Sequence, residues 1–458
     1  MLTLRCSQAS YAALSLAIGI FLPLLASAST NDHVILITID GMAASYLSDP
    51  QAALPTLRRL AAEGARAEAL GVSNPTTTWP NHTTLVTGVH PDKHSVLFNG
   101  VLVRDGPGQS VRMEGDQDKS NMVAVPTLYD RLHQQGYRTA AINWPCTRGA
   151  VTLDDNFPDT PDRVTQTTPR LRAELVRDGI LDDAHEASFD KKDIAAHDSA
   201  WVAAALHILQ TRRPNLLLLH LLATDVIQHR NGPQSPAAYS ALAQADAEVA
   251  EIVRAFGMAG IRQQTTLFVA SDHGFAKPNN LISPNVILRK AGLLRPGPRR
   301  RAQSVSEGGT AFVYLTQPAT ANEDREKVIT LLSAVEGIAE IRQPPQYAAL
   351  HLPDPALNPQ MGDLLLVAEA GCTFSDDFFE DDVITPIPMS LGSHGYLATD
   401  PRMDGVFIAW GKRIKPGTKL GLVENIDVAP TIAALLDQDL PGSQGKVLRE
   451  ILSERNRH

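Results

Sequence analysis

The chain has 458 residues, of which 43% are hydrophobic and 20% charged, and it carries 31 glycines and 31 prolines. This composition is typical of a loop-rich globular enzyme and argues against low-complexity disorder, collagen and coiled coil. The length allows roughly two to three domains, or one large α/β domain with insertions. The formal net charge is −9 and the longest basic run is residues 299–301, which argues against binding to nucleic acid duplexes.

Residues 1–28 have the pattern of a cleaved signal peptide. Arg5 is their only charged side chain, residues 12–25 are largely apolar, and small residues follow at 26–28. The apolar run is too short and too interrupted to span a bilayer comfortably. We therefore expect cleavage after Ala28 and a periplasmic or secreted protein with no transmembrane anchor in the mature chain. A retained N-terminal anchor is the alternative.

Apolar segments and helical periodicity alternate along the rest of the chain. In chain order they predict a strand at 33–39, helices at 55–63 and 125–135, a strand at 137–143, a helix at 195–211, a strand at 216–221, a helix at 236–256, strands at 265–270 and 406–410, and a helix at 426–436. Strands that are apolar throughout are typical of parallel sheets covered on both faces. The alternation predicts a three-layer α/β/α core with a mostly parallel sheet.

Two segments interrupt this alternation. Residues 144–194 are rich in Asp, Pro, Thr and Arg, and we expect them to be irregular. Residues 305–370 have a strand–helix–strand pattern of their own. We interpret 305–370 as a small α+β insertion within a single domain of residues 29–458.

Two cysteines remain once residues 1–28 are removed. Cys146 and Cys372 can form one disulfide in an oxidising compartment or stay two separate buried thiols, and the sequence leaves both open. Because no C-x-x-C pair is present, we do not expect a zinc site built on thiolates.

Carboxylates follow three of the predicted core strands. Asp40 ends the first strand, Asp225 follows the 216–221 strand by a few residues, and Asp272 directly follows the 265–270 strand. Ligands of open α/β sheets bind outside the carboxyl ends of the strands, so three distant segments can deliver these groups to one place. For each Asp taken alone, a cap of a turn or helix is the simpler explanation.

Histidines accompany these carboxylates at ligand-like spacings. Asp225 and His229 lie four residues apart, which places them on one face of a helical turn. His273 adjoins Asp272 on a predicted tight turn, and His394 lies between glycines on a predicted loop. Three Asp and three His without thiolate suit two zinc ions. Two metals about 4 Å apart can stabilise both the attacking and the leaving oxygen of a displacement at phosphorus. We expect His82 and His220 to be structural polar residues near this site.

A hydroxyl-rich segment supplies a candidate nucleophile. Residues 76–78 are three consecutive threonines between two prolines. A threonine hydroxyl is a weak nucleophile at neutral pH, but a metal ion on its oxygen can generate the alkoxide. Without a metal, the simpler interpretation is a turn that caps a helix at 81–88.

Five short motifs follow one another in a fixed order. They are Ile37-Thr-Ile-Asp40-Gly41, Thr76-Thr-Thr78-Trp-Pro-Asn-His82, Asp225-x-x-x-His229, Ser271-Asp-His-Gly274 and Gly392-Ser-His-Gly-Tyr396. Together they resemble the nucleotide pyrophosphatase/phosphodiesterase family of the alkaline phosphatase superfamily. The resemblance covers residues 37–396. It implies an alkaline-phosphatase-like catalytic domain over residues 29–458 that hydrolyses phosphodiester or pyrophosphate bonds.

The resemblance also implies a role for each motif residue. Thr78 would be the nucleophile of a phosphothreonine intermediate, and the amide of Asn99 would hold a non-bridging phosphoryl oxygen. Two Zn²⁺ per chain are implied, one held by Asp225, His229 and His394, and the other by Asp40, Asp272 and His273 with the Thr78 oxygen. The implied substrate is a small phosphorylated molecule, either a nucleotide or another phosphodiester.

Specificity is the least determined part of this interpretation. Thr77 precedes the candidate nucleophile where the family commonly has Lys. Trp79, Phe98 and Trp144 are candidates for an aromatic clamp on a base. A phosphomonoesterase resembling alkaline phosphatase, or a phosphonate hydrolase, is the alternative on the same bimetallic site. Because a monoester carries one more negative charge and Arg148 is the one candidate cation for it, diesters are favoured. A metal-dependent binding protein would not need the nucleophile.

Overall fold

The computed structural model describes residues 31–295, 299–387 and 391–454. The predicted signal peptide lies outside these residues. Within them the strands are β1 (His33–Ile39), β2 (Ala65–Gly71), β3 (Val101–Arg104), β4 (Val111–Glu114), β5 (Thr139–Pro145), β6 (Asp155–Asp159), β7 (Leu216–Leu221), β8 (Thr265–Ala270), β9 (Asn280–Ile282), β10 (Ala302–Ser306), β11 (Thr310–Leu315), β12 (Ile338–Arg342), β13 (Leu364–Ala368), β14 (Cys372–Phe374), β15 (Ile384–Pro386), β16 (Phe407–Gly411) and β17 (Thr418–Glu424).

The α-helices of the same residues range from single turns to six turns. They are α1 (Pro55–Glu63), α2 (Thr78–Thr87), α3 (Pro91–His94), α4 (Lys119–Met122), α5 (Leu128–Gln134), α6 (Arg163–Gln166), α7 (Pro169–Arg177), α8 (Glu186–Phe189), α9 (Ile194–Thr211), α10 (Ala223–Asn231), α11 (Pro236–Met258), α12 (Pro284–Lys290), α13 (Ala321–Leu332) and α14 (Val428–Leu435). Serine, threonine and aspartate begin several of them, as at α5, α9 and α11, where the side chain accepts a backbone N–H of the first turn.

An eight-stranded sheet forms the centre of the molecule, in the order β17-β2-β16-β8-β1-β7-β5-β6. All neighbouring pairs are parallel except those of β16, which runs antiparallel to both β2 and β8. The predicted mostly parallel sheet is therefore confirmed. β1 lies between β7 and β8, so the carboxyl ends of three consecutive parallel strands meet at the middle of one sheet edge.

Apolar side chains cover both faces of this sheet. Ile35 and Ile37 of β1 point into a core shared with α1, α9 and α11, whereas Val34 and Leu36 point into a second core shared with α2, α5 and α14. Every residue of β1 is buried. A strand buried on both sides has to be apolar throughout, which is why it was recognisable in the sequence. The two cores define the three layers that the sequence predicted.

A smaller antiparallel sheet adjoins the main one, in the order β10-β11-β13-β12. Helix α13 packs on it through Val328 and Leu332. The sheet and helix together span Ala302–Ala368, close to the segment 305–370 that was predicted as an α+β insertion. The boundaries of that insertion, and of the domain 29–458, stay predictions.

One expectation about regular structure was wrong. The segment 144–194 was expected to be irregular, but it contains β6, which pairs in parallel with β5 at the sheet edge, and the helices α6, α7 and α8. β6 reads Asp-Asn-Phe-Pro-Asp, and its proline is tolerated because an edge strand needs hydrogen bonds on one side only. Residues 155–159 therefore lack the apolar pattern of a core strand, which is why β6 was not predicted.

The two cysteines do not form a disulfide. Cys146 and Cys372 are both free and buried, and burial raises the pKa of the Cys146 thiol to about 12. Of the two alternatives, the separate thiols are the ones present. Among the residues that the structure describes, no helix is both long and apolar enough to cross a membrane.

Candidate active site

The predicted acidic and imidazole side chains gather at the carboxyl edge of the three central strands. Asp40 directly follows β1, and Asp272 and His273 directly follow β8. α10, which starts two residues after β7, carries Asp225 and His229 in its first two turns. The loop 391–396 brings His394 to the same place, where it stacks on His273 with ring centroids 3.8 Å apart. Residues more than 350 positions apart in sequence thus form one cluster.

One group of three ligand atoms lies around Asp225. Its Oδ1 is 3.4 Å from Nε2 of His229 and 3.7 Å from Nε2 of His394. The two imidazole Nε2 atoms are 3.1 Å apart. Because one ligand atom from each residue lies within 4.8 Å of the other two, these residues form a group that could hold a metal ion.

A second group lies deeper, around Asp40 and His273. Nε2 of His273 is 3.2 Å from Oδ1 of Asp40 and 3.4 Å from Oδ2 of Asp272. Asp40 and His273 also form a candidate metal group with Asp225, so the Asp225 carboxylate lies between the two groups. All six side chains that the sequence singled out as ligands are therefore brought together.

Several polar atoms of this cluster lack the hydrogen bonds that burial demands. Oδ1 of Asp40, Oδ1 of Asp225, Oδ2 of Asp272 and Nε2 of His273 are all buried and have no hydrogen-bond partner in the described part of the chain. Buried polar atoms in folded proteins are nearly always paired, and a buried carboxylate oxygen left alone costs several kcal/mol. These orphaned oxygen and nitrogen atoms point at one another, which is the arrangement expected of ligands to a cation.

Backbone carbonyls orient the three imidazoles. Nδ1 of His229 lies 3.1 Å from the carbonyl oxygen of Gly392, and Nδ1 of His394 lies 3.1 Å from that of Thr76. Nδ1 of His273 lies 3.1 Å from its neighbour's carbonyl. A carbonyl only accepts hydrogen bonds, so each Nδ1 carries the proton and each Nε2 offers its lone pair to the cluster. This is the usual outer support of metal-binding histidines.

The carboxylates perturb one another strongly. Burial, together with the charges of Asp272 and Asp225, raises the pKa of Asp40 well above its usual range. Burial acts in the same direction on Asp225, but its contacts with His229 and His394 outweigh burial and lower the pKa of Asp225. Three carboxyl groups so close together disfavour full ionisation unless a cation is bound.

Two further histidines support the cluster from below. Nε2 of His220 lies 2.9 Å from Oδ2 of Asp40. Burial lowers the pKa of His82 to about 3, so its neutral ring donates from Nδ1 to the carbonyl of Thr78 at 2.9 Å and accepts from the Thr38 hydroxyl at 2.8 Å. The expectation that His82 and His220 are structural polar residues near the site is confirmed.

A glycine makes the close packing around Asp40 achievable. Gly41 has φ +67°, and a Cβ there would lie 2.4 Å from the ring of Phe275. Its N–H donates to Oδ1 of Asp272 at 3.2 Å. The Asp-Gly pair after β1 therefore turns the chain sharply and ties two of the carboxylate-bearing segments together.

Thr78 begins α2 and is buried, and its backbone carbonyl lies 2.9 Å from Nδ1 of His82. Asn99 Oδ1 accepts the backbone N–H of Trp79 at 2.9 Å, so the NH₂ of that amide is left as a donor on an exposed side chain. Asn99 lines a cavity of about 290 Å³ together with Thr77, His229 and His394. The start of a helix carries partial positive charge, which favours an anion at this position.

The three aromatic candidates for a base clamp are wrong. Phe98 and Trp144 are fully buried, and Trp79 is 7% exposed. The Trp79 ring packs against Met122 and Cys146. Rings enclosed in this way have no free face on which a base can stack. Trp79 is instead held in place, because its indole N–H donates to Asp159 at 3.0 Å.

Arg148 is engaged elsewhere. Its guanidinium contacts Asp118 and makes an ion pair of 3.0 Å with Asp162. Two carboxylates therefore already neutralise the positive charge of Arg148, so this residue is not a free cation for the additional negative charge of a phosphomonoester.

The sequence did not single out Glu307, which also lines the cavity. It lies in the turn between β10 and β11, in a Ser-Glu-Gly-Gly stretch with the composition of an ordinary hairpin turn. Only the packing of the second sheet against the 391–396 loop brings it to the site. No signal in the sequence could have indicated this.

The comparisons with known proteins agree with the fold and the cluster. The family model described as type I phosphodiesterase/nucleotide pyrophosphatase matches residues 34–397. The chain therefore belongs to this family. Its members are metal-dependent hydrolases of phosphodiester or pyrophosphate bonds, so the chain is an enzyme of that kind.

Curated relatives have low sequence identity to this chain, but they align with most of its length. An uncharacterized pyrophosphatase/phosphodiesterase of Schizosaccharomyces pombe is 24% identical over 93% of this chain and 81% of its own length. A bis(5'-adenosyl)-triphosphatase of Xenopus laevis is 24% identical over 89% of this chain and 78% of its own length. Venom phosphodiesterase 2 of Crotalus adamanteus is 22% identical over 88% of this chain, which spans about 45% of the venom enzyme.

Solved structures show the same fold. Murine ectonucleotide pyrophosphatase/phosphodiesterase 5 superposes with a TM-score of 0.71 at 17% identity, and the match covers 92% of this chain and all of that chain. An inactive variant of that murine protein, in complex with AMP, matches equally well. The alkaline-phosphatase-like core that the sequence predicted is confirmed at the level of the fold.

Proposed function

We propose that this protein is a zinc-dependent phosphodiesterase or nucleotide pyrophosphatase that works through a phosphothreonine intermediate on Thr78. The observation that carries the proposal is the convergence of three carboxylates and three imidazoles, several with orphaned buried atoms, beside the start of the helix that bears Thr78. Carboxylate and imidazole ligands without thiolate suit zinc in a catalytic site.

The proposed ligand sets are those that the resemblance implies, and the first of them coincides with the group around Asp225. Asp225, His229 and His394 would hold one Zn²⁺, and Asp40, Asp272 and His273 would hold the other with the Thr78 oxygen. Bound zinc supplies Lewis-acid stabilisation of oxygens on phosphorus and favours a deprotonated hydroxyl at neutral pH. The positive charge of bound zinc would also offset the mutual repulsion of the carboxylates.

Side chains of the protein then take part in two successive displacements at phosphorus. The Thr78 oxygen attacks phosphorus and the alcohol or nucleotide leaves, which forms phosphothreonine. Asn99 donates its amide N–H to a non-bridging oxygen, where charge accumulates. Water next attacks phosphorus from the vacated side, releases the phosphorylated product and regenerates the Thr78 hydroxyl. His82 holds the carbonyl of Thr78 throughout and so fixes the start of α2.

A diester is the substrate that the charges favour. A phosphomonoester brings an additional negative charge, and Arg148, the cation considered for it, is compensated by Asp118 and Asp162. We infer a small phosphodiester, such as a nucleotide ester, as the substrate. The similarity to a bis(5'-adenosyl)-triphosphatase and to a murine protein solved in complex with AMP supports this choice.

Parallel kinetics test this proposal. We expect kcat/KM to be highest for thymidine 5'-monophosphate p-nitrophenyl ester or bis-p-nitrophenyl phosphate and lowest for p-nitrophenyl phosphate. A clear preference for p-nitrophenyl phosphate would instead establish a phosphomonoesterase, and a preference for a phosphonate would establish a phosphonate hydrolase.

We also propose that the protein is exported to the periplasm or the medium. The support is the charge and hydropathy pattern of residues 1–28. The mass of the chain purified from the exporting host is expected to correspond to an N-terminus after Ala28, whereas a mass that includes residues 1–28 would indicate a retained anchor.

A further inference from the structure

A second cavity adjoins the reaction cavity, which is the one lined by Asn99, His229 and His394. This side cavity has a volume of about 290 Å³ and lies between the β3–β4 hairpin, strand β10 and helix α12. Met113 of β4 and Ser306 of β10 line both cavities. A substituent on phosphorus at the cluster can therefore extend past these two residues into the side cavity.

Hydrogen bonds hold the walls of the side cavity together. The side-chain amide of Gln303 on β10 accepts the N–H of Val111 at 3.0 Å and donates to the carbonyl of Val111 at 2.9 Å. The N–H of Arg300 donates to the carbonyl of Gly108 at 3.0 Å. The hairpin that follows Asn99 is therefore fixed on the second sheet, and the side cavity has defined walls.

The side cavity combines apolar walls with two unpaired donors. Leu102, Val111 and Leu294 line it and are buried. Ser304 and Arg300 line it as well, and the hydroxyl of Ser304 and Nε of Arg300 are buried without a hydrogen-bond partner among the residues that the structure describes. Because a buried donor without an acceptor is unfavourable, the group that fits this cavity has an apolar body and a hydrogen-bond acceptor.

Neighbouring residues fix Ser304 but leave its hydroxyl unused. Asn285 of α12 accepts the N–H of Ser304 at 2.8 Å and donates to its carbonyl at 2.9 Å, and the residue is 1% exposed. Asp376 also lines the side cavity, but it accepts the N–H of Ser306 at 2.7 Å and not the Ser304 hydroxyl. The hydroxyl is therefore held in place for a bound group.

The position of the shared wall indicates which substituent reaches the side cavity. An in-line displacement at phosphorus sends the departing oxygen away from the attacking Thr78 oxygen. His229 and His394, which line the reaction cavity with Met113 and Ser306, belong to the proposed ligand set that does not include the Thr78 oxygen. The departing group is therefore the substituent on the side of this wall.

We propose that the side cavity is a subsite for the departing group of the diester, and that it takes an alcohol with an apolar ring system and a hydrogen-bond acceptor. The inference rests on the proposed function and names the departing half of its substrate. In the bound state the hydroxyl of Ser304 donates to the acceptor, and the apolar walls enclose the rings.

Two esters of thymidine 5'-monophosphate test this subsite. The phenyl ester and the 4-methylumbelliferyl ester retain the same nucleotide, and only the second has a departing group with a further ring and a carbonyl acceptor. We expect Ser304→Ala to lower the ratio of the two kcat/KM values, umbelliferyl over phenyl, by about fivefold relative to the wild type, because the hydrogen bond to that acceptor is lost. The difference in reactivity between the two departing groups cancels in this comparison.

Two further variants complete the experiment. Phe378 lines the side cavity but not the reaction cavity, and it is only partly buried. Phe378→Ala should therefore lower the same ratio by at least about threefold, and it carries the test if Ser304→Ala does not fold. The control Ser240→Ala removes an exposed hydroxyl on α11 and should leave the ratio within about twofold.

The outcomes separate the two proposals. An unchanged ratio in folded Ser304→Ala, or in Phe378→Ala where it stands in, would overturn the subsite while leaving the phosphodiesterase in place. A wild-type chain that hydrolyses neither thymidine ester would refute the proposed function, and the subsite with it.

Discussion

Hydrogen bonds to the backbone around Thr78, rather than to its hydroxyl, hold this residue in position. Its carbonyl accepts the N–H of His82, and the next N–H along the helix donates to Asn99. Both partners were visible in the sequence, one within the same motif and the other from the resemblance. Such backbone anchoring lets the side chain be exchanged with little disturbance of α2.

The first prediction follows from this anchoring. Thr78→Ala should reduce kcat by at least about a thousandfold, because the nucleophilic oxygen is lost, while zinc content stays near two per chain. Thr78→Ser, which keeps a hydroxyl, should retain a measurable fraction of kcat. Diesterase kinetics with metal analysis of the same samples is the measurement, and full activity in the alanine variant would mean that another group is the nucleophile.

Residue-scale prediction reached five of the six proposed ligands because each follows a recognisable strand or keeps a local spacing, whereas His394 was singled out on a glycine-flanked loop and by the resemblance. Asp40 and Asp272 come directly after apolar strands, and Asp225 and His229 do share one helix, as their spacing predicted. Burial of aromatic residues was not predictable in the same way. Trp79 and Trp144 looked available for a ligand, but their environment depends on helices and strands from distant segments.

At the scale of elements, α10 depends on a carboxylate from a neighbouring helix. Asp198 of α9 accepts the backbone N–H groups of Leu222 and Ala223, both at 2.9 Å, at the start of α10. The side chain is 2% exposed. It thereby satisfies orphan donors of the helix that carries Asp225 and His229.

The second prediction concerns this contact. Asp198→Ala should lower the free energy of unfolding by about 3 kcal/mol and weaken zinc retention, because two buried N–H groups lose their acceptor. Asp193→Ala is the matched control, since Asp193 caps α9 by accepting the N–H of Ala196 and does not touch α10. That control should cost about 1 kcal/mol and leave zinc retention unchanged. Equal zinc retention in both variants would contradict the positioning of α10 by Asp198.

The packing of α9 on α11 also encloses an acid that titrates. Burial raises the pKa of Glu248 to about 7, and its Oε2 is buried without a hydrogen-bond partner in the described residues. In the unfolded chain this carboxyl ionises near its ordinary pKa of 4.5. Between these two values the folded state keeps a proton that the unfolded state has released.

The third prediction follows from that difference. As the pH rises from 4.5 to 7, the folded state loses stability relative to the unfolded state, and the penalty is complete above pH 7. Glu248→Gln should remove about 3 kcal/mol of this decline, so that the variant is less pH-dependent than the wild type. Urea unfolding of both chains at several pH values measures it, and parallel pH profiles would show that Glu248 does not titrate in this range.

Elements were predictable where burial imposes a pattern on the sequence. The strands β1, β7 and β8 lie at the centre of the sheet and are apolar along their whole length. The strands β2 and β17 were missed because they expose alternate charged or polar side chains and carry no apolar run. Helix ends shifted by a few residues: α5 begins after its capping residue Thr127, three residues later than predicted, and α11 runs two residues past its predicted end.

At the scale of the whole molecule, the order of strands explains why distant segments form one site. β1, β7 and β8 are adjacent in the sheet although about 180 residues separate the end of β1 from the end of β7. The parallel arrangement sends all three chain ends to one edge, and the second sheet adds the β10–β11 turn from the side. Topology, rather than any local signal, unites the six proposed ligands with the cavity that Asn99 lines.

The fourth prediction concerns the stability of this assembly. Because the ligands come from separate elements, metal bound to the folded chain and not to the unfolded chain should raise the melting temperature. Removal of metal with a chelator is expected to lower the melting temperature by about 5 °C or more, and added zinc should restore it. Differential scanning calorimetry measures the shift, and an unchanged melting temperature would show that the cluster is stable without a cation.

The central claim, that six side chains hold two zinc ions, is tested most directly by metal analysis of the full chain purified without chelators. We predict about two zinc ions per chain. The zinc content should fall clearly in Asp40→Asn and Asp225→Asn and stay unchanged in the control Glu68→Gln, which removes a charge from an exposed position on β2. Active, folded wild-type protein that binds no transition metal would contradict the account.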